Sequence, residues 1–253
     1  MFDRDVSGYR LTAAGETLLT QALRAEEALI TAERHLHGQD AKLSGEIRLT
    51  TPDVIAISLI TAELAEFSRQ YPEIDLQIFL SYDVFDIARR EADIAIRFIG
   101  SGRSPPEDLV GRKLVTAASC YYASDAYLAE HDPWDKDSGA RFIGWGDEDC
   151  FPWWVKKSPF PYLPAYGNLN NALLQVEAAK EGMGLTVVLC YLGYTAEGLR
   201  HVPNTEPYKN YDIRLLSHPD LRDAARLRTF RKFIVEVFED KRDLMTGKCP
   251  KAS

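Results

Sequence analysis

The stretch GEIRLTTPDVIAISLITAELAEFSRQ (Gly45–Gln70) decides the fold, because it joins a strand directly to a helix. Glu46–Thr50 alternates polar and apolar residues, which predicts a strand, and apolar residues then recur at helical spacing. Pro52 suits the first turn of that helix, and Thr50 or Thr51 is a candidate N-cap. The carboxyl end of a strand therefore meets a helix N-terminus, a junction that suits a small anion.

Further strands and helices alternate along the chain. Apolar runs predict strands at Asp75–Leu80 and Asp93–Phe98, with a short helix at Phe85–Arg90 between them. This β-α-β-α-β order predicts an α/β fold with a parallel sheet and helices on both faces. The later pattern predicts an extended passage over 112–123, helices at 125–130, Leu169–Lys180 and 224–240, and strands at Leu185–Tyr191 and 213–217.

Three strand ends are expected to meet at one crevice, because ligands in open α/β sheets bind at the carboxyl ends of strands. They are Thr50–Asp53, Ser81–Asp83 and Arg97–Gly100, and Gly167–Asn171 adds a fourth corner that is rich in amides. Together they predict a site for a carboxylate or another small polar ligand. Two alternatives remain open: Arg97 pairs with an acid, and the asparagines serve only as helix caps.

The segment ahead of this body, from Leu11 to about His37, predicts one long helix with Thr12 as its N-cap. Its apolar residues step alternately by four and three, which is a heptad seam. The seam residues are Leu18, Ala22, Ala25, Leu29, Ala32 and Leu36. Such a helix covers its stripe either on its own chain or on a second copy, and we favour a second copy.

Composition narrows the classes of function. The 253 residues carry a net charge of −8, which argues against a protein that coats nucleic acid. No apolar run is long enough for a membrane span and no signal peptide precedes the body, so a cytoplasmic location without membrane contact is expected. The four cysteines, Cys120, Cys150, Cys190 and Cys249, are widely spaced and form no metal-ligand pattern.

No constellation of catalytic residues is visible. The five histidines are scattered without an HExxH motif, and no serine lies in a GxSxG elbow. The Gly-Met-Gly run at 182–184 is not a dinucleotide fingerprint. We therefore predict no catalytic residue, no metal and no cofactor, and a protein that is not an enzyme.

Several segments, taken in order, resemble LysR-type transcriptional regulators. GYRLTAAGE (8–16) is similar to the wing strand and the start of the linker helix in that family. GEIRLTTPD (45–53), YPEIDLQIFL (71–80) and ADIAIRF (92–98) resemble its first half-domain, and YYASDAYLAEHD (121–132) the entry to the second. NLNNALLQVEAAKEGMGLTVVLCYL (168–192) resembles the cleft-lining helix with its following strand, and IRLLSHPDLRDAARLRTFRKFI (213–234) the return to the first half-domain.

The resemblance covers nearly all of residues 2–240 and implies a domain plan. It implies two Rossmann-like half-domains of the type 2 periplasmic-binding-protein fold, preceded by a long linker helix. Half-domain I would comprise 45–117 and 214–242, and half-domain II 118–213. Residues 1–10 would be a remnant of the DNA-binding wing, with Arg4 and Arg10 as its DNA-contacting residues, and 11–40 the dimerisation helix.

The resemblance also implies a set of effector-binding residues. They are Thr50, Thr51, Pro52, Asp53, Tyr82, Asp83, Arg97, Phe98, Ile99, Gly100, Asn168, Asn170 and Asn171. The partners it implies are a small-molecule effector and one or three further copies, in a homodimer or homotetramer.

Two features depart from the family pattern. The sequence begins inside the wing, so DNA would be bound only through a missing N-terminal domain that reads the major groove. Val188-Leu189 stand where the family usually has Leu-Pro before Cys-Tyr. The expected function is the effector-binding and oligomerisation region of a regulator that senses a small cytoplasmic metabolite and controls DNA-binding geometry. The alternative is a DNA-blind binding or dominant-negative protein of the same fold.

Overall fold

The computed structural model describes residues 2–5, 8–38, 43–82, 92–100, 102–104, 109–146, 151–218 and 224–248, and only the backbone of 2–5, 8–10 and 31–38. Strands β1 (Phe2–Asp5) and β2 (Gly8–Leu11) form an antiparallel hairpin, with Arg4 opposite Tyr9 and Arg10 opposite Asp3. The expected wing remnant is thus a hairpin. The side chains of its two arginines lie outside the described residues.

Helix α1 (Ala13–Gly38) follows the hairpin. The predicted cap is present, because the Thr12 hydroxyl accepts a hydrogen bond from the Gly15 N–H at 3.1 Å. The seam is uncovered wherever its side chains are described: Leu18 is 48% exposed, Leu29 is 68% exposed, and Ala22 and Ala25 are exposed as well. Ala32 and Leu36 lie in α1, but their side chains are outside the described residues. The chain's own body therefore does not cover this stripe.

The body combines one main sheet with surrounding helices. The strands of the body are β3 (Gly45–Thr51), β4 (Ile74–Leu80), β5 (Ile94–Gly100), β6 (Val110–Ala123), β7 (Phe142–Ile143), β8 (Ala165–Tyr166), β9 (Thr186–Leu189), β10 (Arg200–His201) and β11 (Tyr208–Ser217). Its helices are α2 (Asp53–Ile55), α3 (Thr61–Gln70), α4 (Asp125–Glu130), α5 (Trp153–Lys156), α6 (Ala172–Lys180), α7 (Cys190–Thr195), α8 (Ala225–Asp240) and α9 (Arg242–Met245). A π-helical turn (Ala56–Ile60) joins α2 to α3.

The strand order across the described part of the main sheet is β10-β6-β11-β5-β3-β4, and β9 also pairs with β6. Strand β3 runs parallel to β4 and β5, as predicted. The main sheet as a whole is mixed, because β11 runs antiparallel to both β5 and β6. Strand β6 carries the chain away from β3, β4 and β5, and β11 carries it back alongside β6. The two neighbouring strands therefore run in opposite directions.

Strand β6 is one continuous strand of 14 residues. Its first part pairs with β11, and Ser119–Tyr122 pairs with β9. The register between β6 and β11 shifts between Lys209 and Tyr211, where the Asn210 amide donates to the Ser119 hydroxyl at 2.8 Å. The predicted half-domain boundaries at 117/118 and 213/214 fall inside these two strands, and the division into half-domains stays a prediction.

Several local details differ from the sequence predictions, among them the last strand, which was predicted at 213–217 and spans Tyr208–Ser217. Thr50 and Thr51 end strand β3 instead of capping the helix, because Pro52 is the N-cap residue. Helix α6 begins at Ala172, after the cap Asn171, rather than at Leu169. The strand predicted over Leu185–Tyr191 ends at Leu189, and α7 follows because it buries its first four residues, Cys190 to Gly193. The short helix predicted at 85–90 lies outside the described residues.

Helices α3 and α8 pack against each other and share an apolar core with β3. The ring of Phe67 in α3 meets Phe230 of α8 edge-on, with centroids 4.9 Å apart. Both rings are fully buried with Ile47 and Leu49 of β3 in one apolar core. Across the described ranges, no helix is long and apolar enough to cross a membrane.

Candidate functional site

The carboxyl end of β3 places two threonines in the interior. Thr50 and Arg97 of β5 are each about 1% exposed, and Arg97 Nη2 donates to Thr50 Oγ1 at 2.8 Å. Arg97 Nη1 also donates to the Ile96 carbonyl at 2.9 Å. Thr51 is fully buried, and its hydroxyl has no hydrogen-bond partner among the described residues. A buried hydroxyl without a partner is unusual and marks a place where a ligand or water can be accommodated.

Asp53 lies at the centre of the converging corners. Its Oδ1 accepts hydrogen bonds from the Val54 N–H at 2.8 Å and from the Tyr82 hydroxyl at 2.5 Å. Its Oδ2 accepts from Asn171 Nδ2 at 2.6 Å, although 118 residues separate the two in the chain. We call Asp53, Tyr82 and Asn171 the Asp53 clasp. It joins the end of β3, the end of β4 and the start of α6.

The clasp holds an ionised carboxylate between neutral donors. Partial burial alone would raise the pKa of Asp53, but the hydrogen bonds from Tyr82, Asn171 and the Val54 N–H outweigh it and lower that pKa below 3.8. The pKa of Tyr82 is raised, first by burial and then by its hydrogen bond to Asp53. Tyr82 therefore remains a protonated donor at neutral pH, and Asp53 remains charged.

A second hydrogen bond joins distant segments of the chain next to Asp53. Tyr191, in the first turn of α7, is fully buried and donates from its hydroxyl to the Val54 carbonyl at 3.0 Å. Burial is the main reason that the pKa of Tyr191 is raised, with smaller contributions from Tyr82 and Asp53. The first turn of the helix after β3 thus contacts both α6 and α7.

Gln175 fixes the start of α6. Its side chain is fully buried, and its Nε2 donates to the Gly144 carbonyl at 3.1 Å and to the Leu169 carbonyl at 3.0 Å. Its Oε1 accepts from the Thr186 hydroxyl at 2.8 Å. Asn171 meanwhile caps α6, since its Oδ1 accepts from the Leu174 N–H at 3.0 Å. These contacts hold the start of α6, and they thereby fix the position of the Asn171 side-chain amide next to Asp53.

The remaining predicted site residues lie outside the clasp. The ring of Phe98 is 5.8 Å from that of Tyr211, and Ile99 packs with Ala95, Leu109 and Leu216. Gly100 is half-buried, and Asn168 and Asn170 are exposed. Asp83 lies outside the described residues. The structure therefore brings together Thr50 with Arg97, and Asp53 with Tyr82 and Asn171.

Sequence reasoning missed Tyr191 and Gln175. Each is a large polar residue inside an apolar run, Tyr191 within VVLCYL and Gln175 within ALLQVEAA. A buried polar side chain requires a partner, so this pattern signals a hydrogen bond to another segment. The partner itself has no sequence signal, because Val54 and Gly144 contribute only backbone carbonyls.

The described residues contain no cluster of three or more His, Cys, Asp or Glu side chains arranged for a metal ion. Cys120 lies 2.8 Å from His201 Nε2, and Thr205 is close to both. Burial raises the pKa of the Cys120 thiol and lowers the pKa of His201, so both are neutral at pH 7. This pair is a neutral structural contact.

The sequence profile of LysR substrate-binding domains matches residues 40–239. An HTH-type transcriptional regulator of Xanthomonas campestris is 33% identical over 121 residues, which are 48% of this chain and 34% of that protein. The probable HTH-type transcriptional regulator LtrA of Klebsiella pneumoniae is 22% identical over 251 residues, covering 94% of this chain and 80% of that protein. The chain thus matches about a third of the first relative's length and most of the second's.

Two solved structures share the fold. The regulatory domain of CrgA, a LysR-type transcriptional regulator from Neisseria meningitidis, has a TM-score of 0.64 at 21% identity and covers 76% of this chain and 98% of that domain. The effector domain of AmpR from Pseudomonas aeruginosa has a TM-score of 0.62 at 19% identity, covering 78% of this chain and 97% of that domain. The expected type of α/β fold is thereby confirmed.

Proposed function

The chain belongs to the LysR substrate-binding-domain family, and on that basis we propose that its body binds a small cytoplasmic metabolite and transmits binding through its long helix. The relatives are named as transcriptional regulators, which are not enzymes, so the expected output is a change of shape rather than a reaction. Half-domain I would comprise 45–117 with 214–242, and half-domain II 118–213.

The Asp53 clasp is the observation that carries this proposal. It links residues of proposed half-domain I, Asp53 and Tyr82, to Asn171 of proposed half-domain II. A ligand that enters between them has to replace the bond between Asp53 and Asn171. Ligand contacts that differ from this bond would favour a different placement of the two half-domains, which is what an effector has to achieve.

The carboxylate ligand that the sequence suggested faces an obstacle at this corner. The Val54 N–H, which a carboxylate would need, already donates to Asp53. Thr50 and Arg97 are buried against each other rather than presented to a ligand. We therefore propose a small polar effector that binds at the clasp and is contacted first by Asp53, Tyr82 and Asn171.

The exposed seam of α1 supports the second part of the proposal, pairing with another copy of the chain. Leu18 and Leu29 expose about half and two-thirds of their surface, and a regular apolar stripe on a long helix is stable in water only when a partner covers it. Paired helices would give a dimer, with a tetramer possible through further contacts. In an intact regulator such helices would lead to DNA-binding heads.

A metabolite screen by thermal shift tests effector binding. A true effector raises the melting temperature progressively with its concentration. Asn171→Asp keeps the capping oxygen but replaces the amide donor with a second carboxylate beside Asp53, so we expect it to change the affinity at least tenfold. Asn170→Asp adds the same charge at an exposed neighbour and should bind like the unmodified chain. Equal affinity in both variants would show that the clasp is not the binding site.

A further inference from the structure

We propose that the effector carries a positively charged nitrogen group, an ammonium or a guanidinium, which replaces the Asn171 amide on the Asp53 carboxylate. The inference rests on the proposed effector role of the clasp and adds the chemical class of the ligand. It follows from how Asp53 is paired, from what surrounds it, and from how easily Asn171 can be exchanged.

Among the described residues, the Asp53 carboxylate has only neutral hydrogen-bond donors. Its contacts are the Val54 N–H, the Tyr82 hydroxyl and the Asn171 amide, and no basic side chain of the described residues touches it. The buried Asp212 shows how the same chain otherwise treats an interior carboxylate. Lys113 and Arg214 lie 3.5 and 3.7 Å from its oxygens. Within the part of the chain that the structure describes, the negative charge at the clasp thus has no cationic partner, and we assign that role to the ligand.

A negative ligand would meet this charge at close range. Two like charges a few ångströms apart in a partly buried site repel strongly, because little water separates them. The same carboxylate attracts a positive nitrogen, and a charge-assisted hydrogen bond is stronger than the neutral one from Asn171. The charge at Asp53 thus selects for cations and against carboxylates.

The surroundings suit a cation as well. Tyr82 is 56% exposed, with its hydroxyl on Asp53, so the face of an aromatic ring is available beside the carboxylate. A positive nitrogen can therefore be held by a carboxylate and an aromatic ring.

A positive nitrogen can replace the Asn171 amide on Asp53 without disturbing helix α6. Its Oδ1 is fixed as the cap of α6, whereas its Nδ2 has Asp53 as its partner. When a ligand binds Asp53, the cap can stay in place and only the bond between Asn171 and Asp53 is lost. Binding of a cation thus separates Asn171 from Asp53 without unfolding α6.

The test uses two pairs of probes with matched carbon chains: n-butylammonium against butyrate, and 1,4-diaminobutane against succinate. The Asn171 side-chain amide is followed in ¹⁵N–¹H NMR spectra and identified by its absence in Asn171→Asp. We expect both cations to shift this resonance in a saturable manner and both carboxylates to leave it unchanged. Asp53→Asn should weaken the cations at least tenfold, while Asp240→Asn, a change at an exposed residue of α8, should not.

The outcomes separate the two proposals. Carboxylates that bind at the Asn171 amide, with cations that do not, would overturn the charge assignment and leave the effector site standing. Silence from all four probes also overturns the charge assignment. The effector site itself fails only if metabolites found by thermal shift bind Asn171→Asp and Asn170→Asp equally. Retained cooperative melting of Asp53→Asn shows that any loss of binding is not a loss of folding.

Discussion

The Asp53 carboxylate occupies the place at the N-terminus of its own helix where an external anion could otherwise bind. The first turn of a helix offers unpaired N–H groups, and in this protein one of them, from Val54, is taken by the carboxylate of the preceding residue. Pro52 makes this possible, because it turns the chain out of β3 without needing a backbone donor. A corner that looks like an anion site in the sequence is therefore already filled.

The charge of Asp53 predicts a dependence of stability on pH. Its folded pKa is lowered below 3.8, so its contribution is complete at pH values above the unfolded pKa and is lost as the pH falls through the folded pKa. We expect the unmodified chain to be more stable than Asp53→Asn by on the order of 1 kcal/mol at pH 7, after allowance for solvent screening. That difference should shrink below about pH 4.

Urea unfolding of both chains between pH 3 and pH 7 measures this difference. Asp240→Asn serves as the control, since it removes a carboxylate from an exposed position in α8. A stability gap between Asp53→Asn and the unmodified chain that is constant over this range would contradict the lowered pKa.

At the scale of elements, Gln175 connects three segments that meet at α6. Gln175→Met keeps the length of the side chain but removes the donor to the Leu169 carbonyl and the acceptor for the Thr186 hydroxyl, whereas the Gly144 carbonyl keeps its bond from the Leu169 N–H. We expect a loss of about 2–3 kcal/mol in the free energy of unfolding, because buried polar groups without partners are costly. Glu177→Met, on the exposed face of the same helix, removes only a surface ion pair with Lys180 and should cost less than about 1 kcal/mol.

Urea denaturation of the two variants makes the comparison. The same loss in both would mean that helix propensity, rather than the Gln175 network, controls this region. A loss confined to Gln175→Met should be accompanied by a changed effector affinity, because Asn171 would no longer be held beside Asp53.

Elements with a strong local signal were predictable from the sequence. Strand β3 and helix α8 lie within a residue or two of their predicted bounds, because alternation and helical spacing are properties of neighbouring residues. The end of β9 was not predictable, since VVLCYL suits a strand as well as a buried helix turn. The contact between Asp53 and Asn171 was even less accessible, because it depends on how distant segments are placed.

At the scale of the whole molecule, the order of strands and helices along the sequence said more about the fold than any single strand or helix did. The parallel arrangement of β3 with β4 and β5 followed from their alternation with helices. The antiparallel strands β6 and β11 interrupt this pattern, and spacing alone did not predict their direction. The expected convergence of strand ends pointed to Asp53 and Tyr82, whereas Thr50 and Arg97 are buried against each other.

The exposed seam predicts that the protein associates through α1. Leu29→Glu places a charge in the middle of the seam, and we expect it to weaken self-association at least tenfold, because burying an unpaired charge in an apolar helix pair is costly. Gln21→Glu adds the same charge at an exposed position off the seam and should associate normally. Sedimentation equilibrium gives both dissociation constants, and an unchanged value for Leu29→Glu would remove α1 from the interface.

The single long strand β6 restricts how the protein can change shape. Because β6 passes through both proposed half-domains without a break, neither half can slide along the other without tearing its ladder of hydrogen bonds. The pairing of β6 with β11 is irregular at Asn210, beside Ser119, and again between Ile213 and Arg214. We propose that the two strands twist at these irregular pairs, so that a ligand at the Asp53 clasp would rotate one proposed half-domain against the other instead of displacing it along the strands.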